Sequence, residues 1–217
     1  MIWFLLPWVE LLTRIRQLRL PVHKTLENQP PPGTSRFPAL LELTDEIEEE
    51  NFDYVSDTGW DWDEMNQFYR LFYHEGTREQ GAICLTEQEG ISWAMLSVTT
   101  RHREGTTYRT TNLPFSNPMK SSPDVIDRRF PRAETFADLL ESHREWMREL
   151  GHREEDFVAE DPEALPRLIE TETGRQIKHN LEVGLIRLAE QAGTFRYSWR
   201  GLFYLYFQLV KDMVKMV

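Results

Sequence analysis

Phe68-Tyr69-Arg70-Leu71-Phe72-Tyr73-His74, Ala82-Ile83-Cys84-Leu85-Thr86 and Ile91-Ser92-Trp93-Ala94-Met95-Leu96-Ser97-Val98-Thr99 are three apolar runs rich in aromatic and β-branched residues. Residue types of this kind favour a pleated, half-buried surface, and each run has the length of one strand. The gaps between them are too short for crossover helices, and each carries a glycine able to take positive φ: Gly76 to Gly81, then Glu87 to Gly90. Outward from this centre, Phe52 to Val55 reads as a short strand. Thr106 to Asn112 reads as a polar edge strand, reached through a turn at Arg101 to Gly105. The expectation is therefore an α+β protein with an antiparallel β-meander of four to five strands and helices packed on it.

The helices follow from period and capping. Leu40, Leu41, Leu43 and Ile47 mark a short helix ending in Glu48-Glu49-Glu50. From about Ala133 to Leu150, the residues Phe136, Leu139, Leu140, His143, Met147 and Leu150 share one face, with Gly151 just beyond. Asp161-Pro162-Glu163 starts another helix with a capping side chain, a proline at the first helical position and an acidic first turn. That helix is expected to run toward Gly193, with a break near Gly174. Leu113 to Pro131 holds four prolines without periodicity and reads as a long loop.

Composition narrows the class. The chain has 217 residues, with 25 Lys+Arg against 36 Asp+Glu and a formal charge of −11. That balance argues against duplex binding, which rests on clustered cations, so no nucleic-acid partner is expected. One cysteine, Cys84, excludes an intrachain disulfide and any multi-cysteine metal site. The charge is uneven: residues 1–24 carry +3 and residues 195–217 carry +3, while the 170 residues between them carry −17. Both basic ends are also the most apolar stretches of the chain.

The N-terminal run Met1 to Leu12 is too short for the ~30 Å hydrocarbon core. With Trp3, Phe4 and Trp8 in it and Arg14, Arg16 and Arg19 after it, the run reads as an apolar/basic N-terminal helix, residues 1–20, lying at a membrane interface. Residues 21–36 hold four prolines and read as a linker, and residues 37–217 as a single α+β domain. The C-terminal stretch from Gly201 has helical spacing with an apolar face wide enough for a core groove, a partner or a bilayer surface.

Catalytic templates are missing: the sequence shows no Gly-rich phosphate loop, no paired-His helix and no dinucleotide fingerprint. No cofactor or metal site is expected. Asp57, Asp61, Asp63 and Glu64 resemble a hard-cation cluster but miss the calcium-loop spacing and read as part of a turn, with weak calcium binding as the second reading. His143 is the single candidate catalytic residue, because it lies on an apolar helix face, where a packed histidine is the commoner outcome. Arg128, Arg129 and Arg132 form a basic island which Arg109 and Asn112 can join, a candidate clamp for an anion. Two functions stand against each other. The first is a non-enzymatic binding or adaptor module at the cytoplasmic face of a membrane, partnered by the surface or by a hydrophobic protein. The alternative is a small enzyme acting on an anionic substrate, with His143 as acid–base and the arginines as clamp.

Overall fold

The computed structural model describes residues 12–216 apart from 14, 64, 89 and 90, and it shows an α+β protein. The described chain gathers into two compact units, each assembled from separated stretches. One comprises Thr25–Pro114 and Pro123–Ile169. The other comprises the described residues of Met1–Lys24, Phe115–Ser122 and Glu170–Val217.

The larger unit is built on a seven-stranded sheet. In chain order its strands are β2 (Glu27–Asn28), β3 (Asp53–Trp62), β4 (Met65–His74), β5 (Glu79–Gln88), β6 (Ile91–Arg101), β7 (Thr107–Thr111) and β8 (Val125–Arg129), and their spatial order is the same. Strands β2 to β7 pair antiparallel, as the short turns between the long ones require, but β8 pairs parallel to β7. Seven strands replace the expected four to five, and the sheet is mixed rather than a pure meander. The excess comes from short polar strands without apolar alternation. Glu27–Asn28 lies in the proline-rich stretch, and Val125–Arg129 lies inside the expected loop. The expected edge strand is thereby covered on its outer side by β8. The turn expected around Asp57 to Asp63 is instead mostly strand: β3 runs on to Trp62, and Asp63 takes positive φ in the hairpin to β4.

Two helices cover one face of this sheet. Helix α1 (Leu40–Glu49) and helix α2 (Phe136–Glu149) lie near the expected positions. Thr135 caps α2: its Oγ accepts from the Asp138 N–H at 3.2 Å, while the Asp138 carboxylate accepts from the Thr135 N–H at 3.1 Å. Leu40, Ile47, Phe136, Leu139 and Leu140 pack onto Phe68, Phe72, Ile83, Leu85, Leu96 and Val98. Each of these strand residues occupies alternate positions in register across β4, β5 and β6, so one sheet face supplies the core. Fully burying a side chain of this size contributes about 2 kcal/mol.

The smaller unit holds a three-stranded antiparallel sheet of β1 (Leu20–Pro21), β10 (Thr194–Tyr197) and β9 (Ile186–Leu188). Helix α3 (Leu165–Glu182) passes through Gly174 without the expected break and stops well before Gly193, where β9 and β10 form a hairpin instead. Helix α4 (Trp199–Met216) closes the chain, and Ser198 caps it by accepting the Gly201 N–H at 3.1 Å. Leu202 and Leu205 of α4 pack with Ile177, Ile186, Phe195 and Tyr197, and Leu12, Ile15 and Leu20 pack against the same cluster.

Candidate functional site

Helix α4 has two apolar faces. Leu202 and Leu205 enter the core, while Trp199, Phe203, Phe207 and Val214 are between 59% and 72% exposed. At 3.6 residues per turn, positions 199, 203, 207 and 214 fall within roughly 80° of arc, a continuous stripe on the outer side of the helix. Exposed Arg200 and Lys211 border one edge of the stripe at about 100–120° on the same wheel. The Arg16 guanidinium lies over the Trp199 ring at 4.2 Å, adding a cation beside it. The smaller unit's segments hold 12 Lys+Arg against 6 Asp+Glu, a net +6, while the larger unit carries −17.

Of the residues expected at a membrane, Trp3, Phe4, Trp8 and Arg14 lie outside the described residues. Arg16 stacks as above, and Arg19 donates from Nη1 to the carbonyls of Arg16, Gln17 and Leu18.

The basic island is distributed by strand register. Arg128 stands opposite Thr110, whereas Arg109 stands opposite Asp127 one position back, so Arg128 points to one sheet face and Arg109 with Arg129 to the other. Arg128 lies 3.5 Å from Glu149 and over the Trp146 ring at 5.8 Å. Arg109 lies 3.7 Å from Asp127, and Arg129 donates to the Pro114 carbonyl at 3.1 Å. Asn112 accepts the Leu96 N–H at 2.8 Å, a backbone-satisfying contact, and Arg132 is exposed.

His143 is fully buried on the sheet-facing side of α2. Its Nε2 lies 3.1 Å from the Thr100 hydroxyl and its Nδ1 2.8 Å from the Thr110 hydroxyl. Thr100 also donates to the Met147 sulfur at 3.6 Å. With that proton committed, the neutral ring donates from Nε2 to Thr100 and accepts at Nδ1 from Thr110. Burial, with smaller contributions from the Arg144 and Arg128 charges, pushes the His143 pKa down to about 3. A ring satisfied on both nitrogens and held neutral is a core element, with no nitrogen left for a substrate.

A different group of side chains converges at the end of β6. His102, His152 and Asp156 each offer a ligand atom, and these atoms lie within 4.8 Å of one another at half-buried positions. Sequence spacing could not reveal it, because the histidines are far apart in the chain and share no helix. Asp57, by contrast, is taken up by Arg70, which donates to it twice at 2.8 Å. No protein-family model, curated protein or solved structure matches the chain. Among the described residues no helix is long and apolar enough to cross a membrane.

Proposed function

We propose that this protein is a non-enzymatic module that docks reversibly on an anionic membrane surface, at the cytoplasmic face, through helix α4. The observation that carries the reading is the exposed stripe of Trp199, Phe203, Phe207 and Val214, edged by Arg200 and Lys211. Aromatic rings on one face and cations at its border are the composition of an interfacial helix. Three aromatics and a valine exposed to this degree present roughly 400 Å² of apolar surface, already the size of a functional patch. Burying half of it contributes about 5 kcal/mol, comparable to one acyl anchor and so reversible. The net +6 of the unit adds attraction to anionic headgroups.

Vesicle co-sedimentation of the full chain tests this. Binding to phosphatidylcholine vesicles containing phosphatidylserine is expected, weakening with added salt, and Phe203→Ser/Phe207→Ser is expected to weaken it at least tenfold. Point variants are the right comparison, because truncation at Phe37 removes Leu12, Ile15 and Leu20 from the core against which they pack. Sedimentation unaffected by the double variant would defeat the reading, as would no sedimentation at all.

A further inference from the structure

We infer that His102, His152 and Asp156 form a binding site for a divalent transition-metal ion of the zinc class. Two imidazole nitrogens and one carboxylate oxygen are the donors borderline cations select, and hard cations such as calcium take mainly oxygen. Ligand atoms within 4.8 Å of one another need to close by at most about 1.4 Å to reach tetrahedral spacing around bonds of about 2.0–2.1 Å. With three protein ligands at a half-exposed position, water takes the fourth place.

Three well-anchored pieces of backbone bring the ligands together. His102 opens the turn between β6 and β7, where its N–H donates to the Thr106 carbonyl at 2.8 Å. His152 follows the left-handed Gly151 that ends α2, and its N–H donates back to the Met147 carbonyl at 3.0 Å. Asp156 ends a single helical turn, Glu154–Asp156, in which its carboxylate accepts the Arg153 N–H at 2.8 Å. That turn is tied to the strand end on both sides. Arg103 donates its N–H to the Asp156 carbonyl at 3.0 Å, and Val158 donates to the Arg101 carbonyl at 2.8 Å. Arg78 holds the same segment by donating to the carbonyls of Glu154 and Phe157. A site built on anchored backbone loses little entropy when the ion arrives.

The surroundings supply the outer partners that metal-bound histidines use. The Tyr108 hydroxyl lies 3.0 Å from His152 Nε2, which orients the ring and leaves Nδ1 as its ligand atom. Packing of the His152 ring against Tyr108, Phe157 and His102 limits its rotation. Nδ1 of His102 accepts the Glu104 N–H at 3.2 Å, and the Glu104 carboxylate lies 3.9 Å from the same nitrogen. Ligation through Nδ1 of His102 replaces the Glu104 N–H contact, and the Glu104 carboxylate stays beside the site as a nearby negative charge. The larger unit's net −17 favours cation entry.

The test uses the full chain without a polyhistidine tag and Zn²⁺ itself, titrated against a chromophoric chelator. One equivalent is expected to bind, and Co²⁺ is expected to show the visible absorption of a four-coordinate ion. His102→Ala and His152→Ala are each expected to lose that equivalent. Asp156→Asn, close in shape, keeps the fold should a histidine variant not fold, and weakens binding at least tenfold. Glu104→Gln removes an exposed charge beside the site and is expected to weaken it no more than about threefold, whereas His23→Ala leaves it unchanged. Binding that survives Asp156→Asn at full affinity would overturn the inference, and so would no zinc binding by the folded wild-type chain.

Discussion

Lowering the pH tests the role of His143 in isolation when wild type is compared with His143→Leu. The buried ring has its pKa pushed down to about 3, while the unfolded chain titrates near 6.5. Between those values the unfolded state binds the proton and the folded state does not. The stability from the neutral ring is therefore complete above pH 6.5 and drains away as the pH falls toward 3. Each pH unit in that window costs ~1.4 kcal/mol, which amounts to about 3 kcal/mol at pH 4.5. At pH 7.5 the leucine variant begins from the opposite position. It strands the Thr110 hydroxyl that donated to Nδ1, at ~1–3 kcal/mol, while Thr100 keeps its bond to Met147. The wild-type advantage should thus shrink steadily below pH 6.5 and reverse near pH 5. Denaturant unfolding of both proteins at matched ionic strength measures it, and titrations common to the two cancel in the difference. A gap that stays constant from pH 7.5 to 4.5 would refute the buried, neutral histidine.

The same neutral histidine predicts that His143→Ala lowers the thermal midpoint at pH 7.5, by roughly 2–4 °C for each kcal/mol lost; an unchanged midpoint counts against a packing role. Leu202→Ala should cost ~2–5 kcal/mol by opening a cavity in the smaller unit, whereas Phe207→Ala, 66% exposed, should stay within ~0.5 kcal/mol on the same unfolding curves. Gly201→Ala should cost about 3 kcal/mol or more, because a Cβ there would stand 2.0 Å from the Leu185 carbonyl oxygen, and calorimetry reads the loss. Arg144→Ala should destabilise by ~2 kcal/mol, since it abandons the buried Glu79 carboxylate that Arg144 contacts at 2.6 Å; Glu79→Gln in the same background should recover part of it.

The central strands were legible as apolar runs of strand length, and the two helices over them because each rests on a local period. Only packing shows that Phe68, Phe72, Ile83, Leu85 and Val98 share one core face, whereas the stripe from Phe136 to Met147 names which helix face is buried before any partner is known. His143 was legible as a packed residue for the same reason, since its neighbours on the helix wheel are core residues. The charged, apolar ends were also visible as composition. Tertiary structure alone decided what has no local signal. Strand β8, Val-Ile-Asp-Arg-Arg, forms because β7 offers it a row of backbone groups, and pairing of that kind is indifferent to side-chain pattern. That one strand also divides Arg109 and Arg129 from Arg128, because neighbouring residues in a strand face opposite ways. The outer stripe of α4 could be told from its core stripe only once Leu202 and Leu205 had found Phe195 and Tyr197. His102, His152 and Asp156 meet because a helix end, a strand end and a short turn are bonded together through backbone, a convergence in space that linear spacing does not encode.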